Sequence, residues 1–274
     1  MTDSLRLRVS YAACGAAAWL AFRLFGLRRS VVRGNLLRSF PGWPREQRRT
    51  VEREFVRRQG EVLAEVLCSH HVAADELRQR VVITNPELLP PPGAPRPLVL
   101  VGAHHCNAEW MLLRASLELG ERLVALYKPQ RNPRADRWLR RLRTRFGARL
   151  VAAKSVLQEL ARLRNVGGIG LLADQVPRTS PEKLWLEFLG QRTAFYMGAE
   201  LLGRALRAQV CLVRMRRLER GRYAMTLEPL NAPGEKLPHG EVTTRYARAL
   251  ESWIRTDPAG WWWSHRRWKE LKRQ

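Results

Sequence analysis

No Cys-x-x-Cys pair occurs in the 274-residue sequence, and its four cysteines, Cys14, Cys68, Cys106 and Cys211, lie far apart. That spacing excludes the common paired-thiolate motifs and fits reduced thiols in a cytosolic compartment. There is no Gly-rich phosphate loop and no Gly-x-Ser-x-Gly elbow, so nucleotide hydrolysis and a serine triad have no support. Long apolar runs are missing as well: residues 9–22 are apolar and Ala-rich, but Arg23 ends the run after about 14 residues, short of the ~20 that a spanning helix needs. A signal peptide would lead into a small-residue cleavage site and a polar start, whereas this stretch runs into Phe25-Gly26-Leu27-Arg28-Arg29. Acidic residues are scarce, with 25 Asp and Glu against 49 Lys and Arg, and the net charge of +24 is spread along the chain. Such a field attracts anionic phospholipid, phosphorylated saccharolipid, acidic carrier protein or nucleic acid; the plainer reading is an Arg-rich composition that leaves its solvated faces charged.

The length fits one large α/β domain with a real core, or at most two small ones. With Arg6 and Arg8 before the 9–22 run and Arg23, Arg28, Arg29, Arg33 and Arg38 after it, the N-terminus suits an interfacial helix with basic residues at headgroup depth; an ordinary amphipathic helix packed on the domain is the alternative. Residues 44–70 read as a long helix closed by His70 and His71, which complement its C-terminal dipole. Strands are expected at 81–83, 98–101, 123–127, 150–151 and 168–172, with helices at 110–119, 133–146 and 155–164 between them. This βα alternation predicts a mixed, mostly parallel central sheet with helices on both faces. A helix at 195–206, a strand pair at 210–215 and 223–227 across Arg220-Gly221, and a closing helix at 242–254 complete the pattern.

The segment Val99-Leu100-Val101-Gly102-Ala103-His104-His105-Cys106-Asn107-Ala108-Glu109-Trp110 holds the clearest chemistry. A strand ends at Gly102, Asn107 is a helix N-cap, and Glu109 falls in the first helical turn. Within one helix a five-residue separation would point His104 and Glu109 apart, but across a strand-to-helix junction they can meet. The helix N-terminus keeps Glu109 ionised, and a carboxylate can fix the imidazole tautomer that leaves one ring nitrogen free. His104 is thus the expected general base and Glu109 its orienter. His104, His105, Cys106 and Glu109 also contain metal-ligand chemistry, yet consecutive residues rarely converge on one ion, and neither metal nor other cofactor is expected. Asp174 and Gln175 follow a strand directly, as His104 does, so the two strand ends can share a cleft; Asp174 is either a positioning partner or a strand-end turn residue.

This segment resembles the Gly-x-His-x-x-Asn-x-Glu signature of the bacterial lipid A late acyltransferases. Further blocks are similar in the same order: Arg33-Gly34-Asn35-Leu36 with Phe40-Pro41, Tyr127-Lys128-Pro129 with Asn132-Pro133, Gly170-Leu171-Leu172-Ala173-Asp174-Gln175, and Trp261-Trp262-Trp263-Ser264-His265-Arg266-Arg267-Trp268-Lys269. His105 and Ala108 stand where the family commonly has aromatic residues, and Lys128 where it has Arg, which keeps the charge and loses the planar fork.

The resemblance implies a glycerolipid-acyltransferase-like fold, with a membrane-associating helix over 1–29 and an acyltransferase domain over 30–274. It implies O-acyl transfer from an acyl thioester, on acyl carrier protein or coenzyme A, to a hydroxyl of a lipid A precursor or related amphiphile, at the cytoplasmic face of the bacterial inner membrane. His104 and Glu109 would be catalytic. Substrate-binding roles would fall to Asn107, Tyr127, Lys128, Asn132, Asp174 and Gln175. Arg143 and Arg145 would hold phosphate or phosphopantetheine unless they are solvated helix-face residues, and His265, Arg266 and Arg267 would clamp a headgroup while the neighbouring Trp residues bury the C-terminus. A lysophospholipid or glycolipid acyltransferase using acyl-CoA is the same-class alternative; a non-catalytic basic protein binding membrane or nucleic acid is the other. An anionic membrane surface is an expected partner, and nucleic acid is not.

Overall fold

The computed structural model describes residues 5–177 and 182–268, which leaves Lys269 of the C-terminal block outside the described residues. Helices α1 (Leu5–Arg23), α2 (Arg29–Ser39), α3 (Arg45–Cys68) and α4 (Ala74–Arg80) precede strand β1 (Val81–Ile83). There follow β2 (Leu98–Gly102), α5 (Ala108–Leu119), β3 (Leu123–Tyr127), α6 (Pro133–Arg143), β4 (Arg149–Ala152), α7 (Leu160–Leu163) and β5 (Gly168–Leu172). A hairpin of β6 (Lys183–Phe188) and β7 (Gln191–Tyr196) leads to α8 (Gly198–Leu206), β8 (Gln209–Glu219), β9 (Arg222–Pro229) and α9 (Glu241–Thr256).

Seven strands form one sheet in the order β1-β9-β8-β2-β5-β3-β4. Every neighbouring pair is parallel except β8 with β9, which run antiparallel across the turn at Gly221. Strand β2 lies at the centre with all five residues buried, the reason its sequence is an unbroken apolar run instead of an alternating one. Helix α5 covers one face, where Met111 and Leu119 fill the space beside Gly102 and Gly168; α8 covers the other, where Gly203 lets it close on Val210. The expected α/β architecture, mostly parallel and helix-covered on both faces, is therefore the one formed. Because β2 and β5 pair in register, Gly102 opposite Leu172, the segments that follow them leave the sheet side by side at its carboxyl edge.

Several local expectations need correction. Phe195 and Tyr196 belong to β7, and α8 starts only at Gly198. Leu189 and Gly190 both take positive φ, of 52° and 69°, closing the β6–β7 hairpin as a two-residue turn that lacks the usual Asn-Gly or Asp-Gly signal. The helix expected at 155–164 is reduced to a tight turn at Ala153–Ser155 and the four-residue α7. The helix expected at 133–146 stops at Arg143, and α3 stops at Cys68, before His70 and His71. Helix α2 was not foreseen: Arg33 pairs with Glu52 at 2.9 and 3.0 Å, and the Asn35 amide donates to the carbonyls of Trp263 at 2.8 Å and His265 at 2.9 Å. The Arg-Gly-Asn-Leu block thus ties down the C-terminal Trp block.

Helix α1 lies along α3. Leu7, Tyr11 and Cys14 are buried against Ala64, so one face is packed on the domain. The rest stays uncovered, with Leu5 77%, Val9 60%, Trp19 54% and, just beyond the helix, Phe25 83% exposed. Among the described residues no helix is long and apolar enough to cross a membrane. The two helices approach closely because both present glycine: a Cβ on Gly60 would lie 2.9 Å from the Cα of Gly15. Gly60→Val gains a few tenths of a kcal/mol in helix propensity, too little to offset the clash, and should therefore destabilise the protein by about 1–3 kcal/mol, the usual cost of overpacking. Denaturant unfolding of the full chain measures it, and an unchanged midpoint would mean that α1 does not pack on α3.

Candidate active site

His104 and Asp174 each stand two residues beyond a strand end, and the in-register pairing of β2 with β5 sets them opposite one another. One Asp174 oxygen accepts the His104 Nδ1–H at 2.7 Å; the other accepts the His104 backbone N–H at 3.0 Å and the Trp261 indole N–H at 2.9 Å. Burial works to raise the Asp174 pKa, but the His104 charge and these hydrogen bonds hold it well below the ordinary carboxylate value. Burial likewise opposes the His104 imidazolium, yet the Asp174 carboxylate, reinforced by the charge of Glu109, outweighs it, and His104 titrates above 6.5. An ionised carboxylate only accepts, so Nδ1 carries the proton and Nε2 is left as the basic nitrogen. The His104 side chain is 18% exposed. Its Nε2 lies 3.2 Å from the Gln175 side-chain amide nitrogen, and the Trp262 ring leans over it at 4.9 Å.

The orienter expected in Glu109 is therefore Asp174. Glu109 does sit in the first turn of α5, but both its oxygens are taken by Arg143 at the end of α6, at 2.5 and 2.9 Å. A bidentate guanidinium is the stronger competitor for a carboxylate, and it occupies both oxygens that could have oriented the His104 ring. The pair remains beside the site, with Glu109 20% and Arg143 18% exposed. Arg143 is titrated upward: burial lowers it, but Glu109 more than compensates.

Of the other candidates, Gln175 lies within hydrogen-bond distance of the His104 ring. Asn107 is fully buried; its oxygen caps α5 at the Trp110 N–H, 3.0 Å away, and its amide donates to Glu65 at 2.7 Å, so it builds the frame and has no face for substrate. Asn132 caps α6 at the amides of Arg134 and Ala135. Tyr127 ends β3 with the Arg140 guanidinium over its ring, and Lys128 is exposed. Arg145 donates to the Ser69 carbonyl and covers the Phe146 ring. Arg267 is only 3% exposed, donates to the Ala194 carbonyl at 2.6 Å and lies over Phe195, which makes it a core residue and not a headgroup clamp. His265 is half-buried and Arg266 exposed.

Sequence reasoning missed Trp261 as a hydrogen-bond donor to Asp174. Residues 260–262 run beside 104–106, with Cys106 N–H on the Gly260 carbonyl and Trp262 N–H on the His104 carbonyl, both at 3.0 Å. The available signal was chemical: a buried indole N–H requires an acceptor. His105 is fully buried against Trp253, and burial depresses it to about 4, while burial pushes the Cys106 thiol up to about 12. Neither can serve as base or nucleophile near neutrality. His105, Cys106 and Asp257 bring ligand atoms within 4.8 Å of one another, but Arg58 already holds both Asp257 oxygens, at 2.7 and 2.9 Å.

The electrostatics set a pH profile. A base must be neutral to act, and Asp174 stabilises the charged form, so the acid limb of the rate should fall above pH 6.5. Asp174→Asn should move that limb to lower pH while reducing the plateau rate. A pH series of kcat/KM on both proteins measures it, and an unmoved limb would show that Asp174 does not set the His104 charge.

The 1-acyl-sn-glycerophosphate (LPA) acyltransferase PlsC from Thermotoga maritima is similar in structure over 90% of this chain and 95% of its own, with 15% identity and a TM-score of 0.43. No curated protein matches the sequence. The family described as bacterial lipid A biosynthesis acyltransferase matches residues 5–270. With nearly its whole length matched, the chain belongs to that family and is an acyltransferase.

Proposed function

We propose that this acyltransferase moves a fatty acyl chain from a carrier-protein thioester to a hydroxyl of a lipid A precursor or a related amphiphile. The His104–Asp174 pair carries the proposal: a base with one ring nitrogen fixed by a buried carboxylate and the other against the Gln175 amide, in a side chain that stays 18% exposed. The acceptor hydroxyl gives its proton to His104 Nε2 as its oxygen bonds to the thioester carbon. The tetrahedral oxyanion then collapses, the C–S bond breaks, and the leaving thiolate takes the proton from His104 and departs as the thiol. The Gln175 amide stands where the hydroxyl must arrive and turns aside to donate to it or to the oxyanion. Arg143, held by Glu109, supplies a fixed positive charge beside this centre.

Residues 1–29 are proposed to bind the cytoplasmic face of the inner membrane without crossing it, and 30–274 to form the catalytic domain. The uncovered apolar residues of α1 and the arginines that flank them support this placement.

Charge favours the carrier protein over coenzyme A as donor. An acidic carrier face should dock a protein of +24 net charge with a fast, salt-sensitive on-rate, whereas coenzyme A offers few charges to a local pocket. In a transfer assay with one acyl length across a salt series, carrier-bound donor should show the higher kcat/KM at low salt, and the advantage should shrink as salt rises. His104→Ala in the same assay should lose ~10²–10⁴-fold with either donor. Equal rates at low salt, or a preference for coenzyme A, would favour a lysophospholipid or glycolipid acyltransferase using acyl-CoA; near-normal transfer by folded His104→Ala would remove the mechanism.

A further inference from the structure

Glu65 is fully buried near the end of α3, where nothing in the reaction places a charge. Its carboxyl collects hydrogen bonds from three other parts of the chain. Tyr11 of α1 donates its hydroxyl at 3.1 Å to one oxygen, while the Asn107 amide and the Tyr223 hydroxyl of β9 each donate at 2.7 Å to the other. A second route runs in parallel: the Glu65 backbone carbonyl accepts the Ser69 hydroxyl at 2.7 Å, and the Ser69 oxygen accepts the Trp110 indole N–H at 2.9 Å. Both routes end on the first turn of α5. Burial raises the Glu65 pKa to about 7 even though all three donors favour its ionised form. A side chain kept there at such a cost does more than fill space, since an apolar residue would pack without it.

What Glu65 reaches is the segment that carries the base. Asn107 lies three residues after His104 and two before Glu109, and its other end fixes the start of α5. Between them Cys106 has φ +56°, a left-handed conformation that costs a non-glycine residue free energy and must be held from outside. Ties on both sides of it include the Gly260 carbonyl on the Cys106 N–H and the Glu65 carboxyl on Asn107. The Glu65 carboxyl that fixes Asn107 also anchors Tyr11, and Tyr11 belongs to the helix whose far side leaves Val9 and Trp19 exposed.

We propose that Glu65 is a positioning residue for acyl transfer, and that through Tyr11 it makes the seating of α1 on α3 a condition of active-site geometry. The path runs from Tyr11 through the Glu65 carboxyl to Asn107 and so to the turn that aims His104 and Glu109. Whatever engages the open face of α1 then acts on a helix hydrogen-bonded, through one carboxyl group, to the catalytic turn. The proposal rests on the reading of His104 as the base.

The test is steady-state kinetics on full-length protein with Tyr11→Phe, Glu65→Leu and Glu65→Gln, each rate divided by the folded fraction. Misaiming a catalytic group by about 1 Å can cost about 100-fold, so Glu65→Leu should lower kcat by ~10–100-fold and Tyr11→Phe by ~3–10-fold, with KM for both substrates within about twofold of the parent. Glu65→Gln can accept from Asn107 and Tyr223 and donate to Tyr11, and should recover most of the loss. Tyr11→Phe should cost nothing further in the Glu65→Leu background, because both act through one carboxyl. A folded Tyr11→Phe protein with unchanged kcat overturns the proposal even if its melting temperature falls, and this variant decides the matter should Glu65→Leu fail to fold. If His104→Ala keeps its activity while Tyr11→Phe loses kcat, the base assignment fails and the coupling through Glu65 stands.

Discussion

Asp174 is a negative charge buried at the edge of a sheet, and satisfying it organises the site. Its three donors come from two distant parts of the chain: the His104 ring and backbone just after β2, and the Trp261 indole near the C-terminus. A buried carboxylate without such donors would cost several kcal/mol. The parallel register of β2 with β5 supplies the first two, and the return of residues 260–262 along 104–106 supplies the third. The C-terminal Trp block is thereby part of the active site, closing over Asp174 through Trp261 while Trp262 shields the outer face of His104. Helix α2 locks that block in place through Asn35, which gives the N-terminal Asn-containing motif a structural purpose.

Two ion pairs stand side by side at this edge, and their division of labour follows from which groups can change charge. Histidine can exchange a proton near neutrality; guanidinium cannot. His104–Asp174 is the pair that can move a proton, and Glu109–Arg143 is the pair that holds a permanent positive charge in place. Each bridges separate elements. The first joins the ends of β2 and β5, while the second joins the start of α5 to the end of α6, so the site is braced in two directions.

Much of this was legible in the sequence where local chemistry decides. The apolar run of β2, the Gly102 exit and the Asn107 cap placed His104 at a strand-to-helix junction, and Asn107 caps α5 as expected. The strand ends carrying His104 and Asp174 were expected to share a cleft, but their direct bond was not, since it depends on the register of strands some 70 residues apart. Glu109 was correctly located and wrongly partnered because the competing Arg143 arrives from a different helix. Helix α2 and the β6–β7 hairpin escaped for another reason: the first buries only Val32 and Leu36 as apolar anchors and sets them among arginines, Gly34 and Asn35, and the second turns at Leu189-Gly190 without a recognisable turn signal. The Ala-rich N-terminus was open to two readings, an interfacial helix or one packed on the domain, and α1 has the packed face of the second together with the uncovered apolar face required by the first.

His104 works with Asp174, and Glu109 serves Arg143. Double-mutant cycles on acyl transfer separate the two most directly. In a His104→Ala background Asp174→Asn should add little further loss, since the negative charge serves the imidazole and an Asn oxygen can still accept the Trp261 indole and His104 backbone N–H groups, while Glu109→Gln still lowers the residual rate by freeing Arg143. The reverse pattern, with Glu109→Gln silent and Asp174→Asn still costly once His104 is gone, would contradict it and restore Glu109 as the partner of the base.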